Sequence, residues 1–317
     1  MKLLHGFQHI AELNLGTVAT IGNFDGVHRG HQALLAKLRS QATQMKLPMV
    51  VMLFEPQPSE HFQGRKAPAR LSSLREKVQV LGQCGADYVW CLKFNDQLAS
   101  MSAVEFAECY IFSLLQARYL LIGEDFRFGH DRVGDIDLLK ELGHQRSCEV
   151  QKFSDFFIDT QRVSSTKIRE ALNDGKLEYA AKLLGRPYSM CGRVVRGVGR
   201  GRQWGVPTAN LNMHDKVLPL SGVYCVRVRR EGKPLLSGVA NLGCRPTMDG
   251  VKNNLEIHLF DIDESLYGEI FQVYFLHKLR DEIKFASVED LIVQIKKDVT
   301  KARDYCDRGC EITCELD

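Results

Sequence analysis

Between residues 17 and about 153 the chain alternates short apolar runs with segments whose apolar positions keep helical spacing. Residues 17–21, 50–54, 88–92, 119–122 and 148–153 are strand-like, and 33–38, 72–81 and 136–142 read as helices. Ser102-Ala103-Val104-Glu105 has the form of a capping box and opens another helix. This rhythm predicts a parallel sheet covered by helices. Ligands of such sheets sit at the carboxyl ends of strands, where the loops after Ile21 and Ile122 fall.

Two short helices are expected at 165–173 and 177–184, the second ended by Gly185-Arg186-Pro187. The domain boundary is placed there, giving domains 1–185 and 186–317. From Cys191 the rhythm changes to short strands at 191–196, 208–212, 223–230, 235–240, 255–260 and 270–276. Turns such as Glu231-Gly232-Lys233-Pro234 separate some of them, which predicts a closed antiparallel barrel. A last helix starts after Ser287 and aligns Val288, Leu291, Ile292, Ile295, Val299 and Ala302 along one face. That face would pack on the barrel. The fold expected is α/β: a Rossmann-like domain followed by a six-stranded barrel with a C-terminal helix.

Composition narrows the partners. The 317 residues are 44% hydrophobic and 26% charged, with a formal net charge of +3. Such a charge does not by itself imply nucleic acid, and no run approaches the ~20 apolar residues of a membrane span. Arginines cluster beside glycine-rich loops, which suits phosphorylated small molecules. The ten cysteines lack Cys-x-x-Cys spacing, so they read as reduced thiols of a cytoplasmic protein rather than a zinc site. Cys306, Cys310 and Cys314 recur every four residues, and read as spare thiols of a frayed tail or a metal or redox group. Oligomeric state is not encoded in any of these patterns.

The most informative stretch is Gly22-Asn23-Phe24-Asp25-Gly26-Val27-His28-Arg29-Gly30-His31. Its three glycines permit a tight loop, and it ends at a helix N-terminus, a favourable place for an anion. His28 and His31, three apart, share one side of the first turn and can donate to phosphate oxygens. A metal pair or two surface histidines is the plain alternative. No Gly-Lys-Ser/Thr follows, so this is not a Walker A loop. Gly123-Glu124-Asp125-Phe126-Arg127-Phe128 forms a second loop, whose phenylalanines either flank a ring or enter the core. Arg162-Val163-Ser164-Ser165-Thr166-Lys167-Ile168-Arg169 puts hydroxyls at a helix N-terminus between cations, either an ordinary cap or a polyphosphate site.

In the second half, Gly197-Val198-Gly199-Arg200-Gly201-Arg202 is a basic glycine loop running towards Pro207-Thr208-Ala209-Asn210. Thr208 and Asn210 alternate on one strand face, and their oxygens are suitable hard ligands for Mg²⁺ beside nucleotide phosphates. Residues 238–247, ending in Thr247, form the next signature. In Leu255-Glu256-Ile257-His258-Leu259, Glu256 and His258 share the face opposite three apolar residues. Glu256 is then either a surface carboxylate or a chemical group. Leu279-Arg280-Asp281-Glu282 closes the set.

The first stretch resembles the His-x-Gly-His nucleotidyltransferases. Both motif sets, in order over about residues 15–303, resemble bacterial bifunctional riboflavin kinase/FMN adenylyltransferases, also called FAD synthetases. The resemblance implies phosphorylation of riboflavin to FMN by MgATP, then attack of the FMN phosphate on the α-phosphorus of ATP, giving FAD and pyrophosphate. It implies that His28 and His31 serve the phosphates, with Gly22, Asn23, Phe24, Asp25 and Gly123 in the same nucleotide or flavin site. Ser164, Ser165, Thr166 and Arg169 would hold the triphosphate tail and Arg162 the FMN phosphate. Asp125 is assigned to FMN or nucleotide binding in the same site, but it stands where many members carry Asn, and an ionised Asp accepts but cannot donate. In the barrel, Glu256 matches the catalytic carboxylate, Thr208 with Asn210 the Mg²⁺ site, and Thr247 the binding signature. Loop 197–205, including Gly197, Gly199 and Arg202, would cover ATP, and Arg280, counted with the catalytic residues, would lie in a loop that closes over the flavin. The alternatives are another His-x-Gly-His nucleotidyltransferase with a regulatory barrel, and a flavin- or nucleotide-binding sensor without turnover.

Overall fold

The computed structural model describes residues 1–6, 16–197, 201, 204–213, 217–247 and 250–308, with backbone only for 244–247 and 250–253. By compactness the chain divides into two units. One is Met1–Pro68 with Leu74–Ser164; the other is Ala69–Ser73 with Ser165 onward.

In the first unit, β1 (Lys2–His5), β2 (Thr17–Ile21), β3 (Met49–Glu55), β4 (Tyr88–Lys93), β5 (Ala117–Gly123) and β6 (Glu149–Phe153) form one parallel sheet in the order β1-β4-β3-β2-β5-β6. The central strands β2 to β5 are largely apolar on both faces because each face is covered. Ile21, Met52, Trp90 and Ile122 enter one core with Phe106, Ile111 and Leu139. Val18, Val51, Val89 and Leu121 enter the other with Leu34, Leu35, Leu38 and Leu81. The covering helices are α1 (Arg29–Met45), α2 (Pro58–Gln63), α3 (Leu74–Gln83), α4 (Asp96–Ala99), α5 (Ala103–Phe106) and α6 (Ile136–Gln145). Ser102 caps α5 in the expected capping box, and the helix widens into a π-type segment over Ala107–Leu114. A small hairpin, β7 (Phe157–Ile158) with β8 (Gln161–Arg162), follows β6.

From β2 the chain winds through β3 and β4 to one side, then crosses to β5 and β6 on the other. The carboxyl ends of neighbouring β2 and β5 are therefore a topological switch point, where a crevice opens. Both loops singled out in the sequence lie there.

In the second unit, α7 (Ser165–Asn173) and α8 (Leu177–Leu184) keep the expected bounds, and Gly185 ends α8 in the left-handed conformation. Strands β9 (Ser189–Val195), β10 (Ala209–Asn212), β11 (Gly222–Arg230), β12 (Leu236–Thr247), β13 (Gly250–Leu259) and β14 (Ile270–Arg280) close a barrel in the order β10-β13-β12-β11-β14-β9. The turn between α7 and α8 abuts β14: a Cβ at Gly175, whose φ is +71°, would lie 2.7 Å from Lys278 Cδ. Helix α9 (Val288–Asp307), capped by Ser287, packs Val299, Ala302 and Cys306 onto Val223, Cys225 and Val239.

Candidate active sites

In the first unit His28 is the N-cap of α1 and its Nδ1 accepts the backbone N–H of His31 at 3.4 Å. That hydrogen bond puts the proton of a neutral His28 ring on Nε2. The two imidazoles stack at 3.7 Å with planes 15° apart, and Phe24 lies 4.8 Å from the His31 ring. The three glycines of this turn serve it in different ways. Gly26 takes a positive φ (79°), but so do Phe24 (46°) and Val27 (38°), whereas Gly22 and Gly30 do not. Gly30 instead leaves room: a Cβ there would meet the His28 ring at 3.3 Å and Phe156 at 3.5 Å. Non-glycine residues held at positive φ are a strained arrangement of the kind concentrated at functional loops. Asp25 and His28 are buried.

Across the switch point, Gly123 starts a turn closed by Phe126 N–H to Gly123 O at 3.2 Å. Asp125 and Asp155 both pair with Arg162 of β8, Asp155 at 2.8 Å. These partners, Asp125 first, push the Arg162 guanidinium further up. The hydrogen bond from Lys152 holds the exposed Glu124 carboxyl below its usual range. Phe128 is buried against Phe106 and stacks with Phe126, so these rings belong to the core. Ser164 is the last residue of this unit. Ser165, Thr166 and Arg169 start α7 in the other, where Arg169 Nε donates to Ala69 O.

The barrel carries a cavity of about 280 Å³. Leu255, Ile257 and Leu259 are buried inside the barrel, so Glu256 and His258 point to its outer face, as alternation requires. The register places Asn210 opposite Glu256 and Glu256 opposite Asn241, a polar row across β10, β13 and β12. Thr208, just before β10, joins Asn210 in the cavity wall. Asn254 donates to Glu256 Oε1 at 2.6 Å, and His258 Nδ1 lies 2.9 Å from Pro207 O. A Cβ at Gly197 would overlap the Asn210 side chain, so this glycine lets the backbone press on the amide. Gly199 and Arg202 lie outside the described residues, and so does the side chain of Thr247 in β12.

Arg280 lines the same cavity from the end of β14, and α9 closes it with Leu291, Ile295, Asp298 and Val299. Asp298 is 3% exposed. Its Oδ2 accepts Arg280 Nε at 2.9 Å and its Oδ1 accepts Gln294 at 2.8 Å. Sequence reasoning missed this residue, although a signal existed: Asp298 interrupts the apolar stripe of Leu291, Ile295 and Ala302. Among the described residues no group of three His, Cys, Asp or Glu could hold a metal ion.

A polar turn at the switch point of a parallel sheet, together with a carboxylate-bearing cavity on a closed barrel, is the arrangement of an enzyme with two separate centres. The comparisons agree. The family model for FAD synthetase matches residues 10–167 and that for riboflavin kinase residues 184–306. Bifunctional riboflavin kinase/FMN adenylyltransferase of Haemophilus influenzae is 45% identical over 96% of this chain and 99% of its own. The protein of that name from Escherichia coli (strain K12) is 44% identical over 96% and 98%. A solved structure described as a macrolide-efflux protein from Streptococcus pneumoniae has a TM-score of 0.80 and 32% identity over 96% of this chain and 99% of that one. Efflux is said of that protein; no helix among the described residues here is long and apolar enough to cross a membrane. The chain belongs to the bifunctional riboflavin kinase/FMN adenylyltransferase family.

Proposed function

We propose that riboflavin is phosphorylated in the outer-face cavity of the barrel and that the resulting FMN is adenylylated at the His28–His31 turn. The chain makes FMN from riboflavin and ATP, then FAD and pyrophosphate from FMN and ATP. Adenylyl transfer is assigned to residues 1–185 and the kinase to 186–317. The observation that carries the kinase assignment is the convergence of Glu256, Asn210, Thr208 and Arg280 on one cavity from three separate stretches of chain. A regulatory barrel would not need that convergence.

A primary alcohol is a weak nucleophile. Glu256, steadied by Asn254, takes the 5′-hydroxyl proton as the oxygen attacks the γ-phosphorus. Arg280 supplies positive charge beside the cavity. The only oxygen donors that Thr208 and Asn210 offer are neutral, which suits a Mg²⁺ ion arriving with ATP and held mainly by phosphates. Bound there, the ion would neutralise charge on the transferring group.

The second step needs no strong base, because a phosphate monoester is already anionic. Positioning and charge stabilisation then dominate. Nε2–H of His28 and the ring of His31 donate to phosphate oxygens at the N-terminus of α1, with residues 22–25 and Gly123 shaping the nucleotide site. Arg162 serves the FMN phosphate, and Ser164 the triphosphate. The cysteines suit work in the cytoplasm as thiols.

Glu256→Gln tests the assignment: it keeps size and hydrogen bonding and removes the base. FMN formation is expected to fall by roughly 10²–10⁴-fold, with FAD formation from supplied FMN unchanged. Riboflavin phosphorylation within a few-fold of the parent enzyme removes Glu256 from that role.

A further inference from the structure

Cys306 was one of three cysteines spaced four apart at the end of the chain, and the frayed-tail expectation does not hold for it. It lies in the last turns of α9, 9% exposed, with its sulfur 3.2 Å from that of Cys225, which is 0% exposed on β11. The other two, Cys310 and Cys314, lie outside the described residues. The surroundings hold the two thiols together. Cys225 also donates to Ala302 O of α9 at 3.7 Å. One residue before Cys306, Tyr305 stacks on His277 of β14 with ring centroids 4.8 Å apart. Arg303 grips Asp261 through two bonds of 2.8 and 2.9 Å and covers the ring of Phe260.

We propose that Cys225 and Cys306 form a reversible disulfide when the enzyme meets hydrogen peroxide or an organic hydroperoxide, latching the helix that lines the kinase cavity to the barrel. Nothing in the phosphoryl or adenylyl chemistry uses either sulfur. The thiols already touch on elements fixed by independent contacts, so an approach of about 1 Å closes the bond. Cys306 is the attacking group because it keeps the residual exposure. The hydrogen bond shared with Cys225, with help from Ser237 and the charge of Arg227, also holds the Cys306 thiol below the usual range against the opposing effect of burial.

The chemistry balances. Cys306 gives up its proton, and the thiolate attacks one peroxide oxygen; the O–O bond breaks, and the leaving hydroxide (alkoxide from an organic hydroperoxide) takes up that proton and departs as water (or the alcohol). The product is a sulfenic acid on Cys306. The Cys225 sulfur attacks that sulfur, its proton passes to the departing oxygen, and a second water leaves. Two thiols lose two electrons in total and the peroxide gains them. A thiol reductant reverses the step.

The test uses the full-length enzyme treated with graded hydrogen peroxide, then alkylated and digested with trypsin without reduction. Cys225 falls in the peptide 217–227, Cys306 in 304–308, and Cys310 and Cys314 in 309–317, so the link is read unambiguously. Expected is a linked 217–227/304–308 pair as the earliest disulfide, abolished by dithiothreitol. Closing so long a loop should also raise the unfolding midpoint of the barrel by roughly 5–10 °C. Cys306→Ser should lose both effects. The mapping on unsubstituted enzyme decides the matter even if that variant folds poorly. The proposal is overturned if Cys306 goes to sulfinic acid with Cys225 still alkylatable, if the pair links only after denaturation, or if other cysteines link first.

Discussion

Asp298→Asn is the most discriminating single change in the barrel, because it alters a residue that touches Arg280 rather than any reacting atom. The carboxylate is buried and divides its oxygens between Arg280 Nε and Gln294. The amide keeps the volume, and one oxygen can still accept from Arg280. What is lost is the charge facing a guanidinium whose side chain is 17% exposed. Hydrogen bonds to charged groups contribute about 1.5–3 kcal/mol and neutral ones about 1 kcal/mol, so the net loss is about 1–2 kcal/mol. Arg280 also donates to Asp281 O at 2.9 Å and lies over Phe285, so it stays near the cavity but samples other directions. If that loss falls on the positioned state, kinase kcat/KM drops by roughly 5–30-fold. The assay is steady-state FMN formation with separate kcat and KM for riboflavin and ATP, alongside FAD formation from supplied FMN and a thermal melt. A lower melting point with unchanged kinase parameters would refute the positioning role. An equal fall in both activities would point to general damage instead.

Three further outcomes follow from the geometry. Replacing both His28 and His31 with Ala should leave FMN formation intact and reduce FAD formation by at least roughly 10²–10³-fold, the usual cost of one lost charge-stabilising donor; near-normal FAD synthesis removes them from that role. Asp125→Asn takes one of two carboxylates from Arg162, an exposed pair worth about 0.2–1 kcal/mol, so KM for FMN should fall by up to about five-fold, and a rise would argue against Arg162 as the FMN-phosphate contact. Gly197→Ala has no backbone obstacle but drives a methyl into Asn210, an overpacking cost of about 1–3 kcal/mol; kinase KM for MgATP should rise while FAD formation from FMN holds, and unchanged kinase kinetics would show that the Asn210 amide is not needed in place.

Local pattern alone determined much of this protein. The central strands of the parallel sheet are continuous apolar runs, and α8 carries its own stop signal, so these elements were legible. So were the histidine turn and the shared face of Thr208 and Asn210, because both depend only on spacing over a few consecutive residues. The four-residue edge strand β1 was not legible: Lys2–His5 is too short to show a period, and it is defined by pairing with β4 and by Trp90 Nε1 donating to Gly6 O. The hairpin of β7 and β8 was missed for the same reason. Nor could periodicity show which strands of the barrel are neighbours. Only the closed register set Glu256 between Asn210 and Asn241, residues 46 and 15 positions away along the chain. Asp298 passed unnoticed in an apolar stripe, and its partner Arg280 is met only once α9 docks, while Cys306 was read as part of a tail or a metal or redox group until the same docking met Cys225. Spacing along one strand or helix is a local property of the backbone, whereas the partner of a buried charge or thiol is chosen by non-local packing that no single segment encodes.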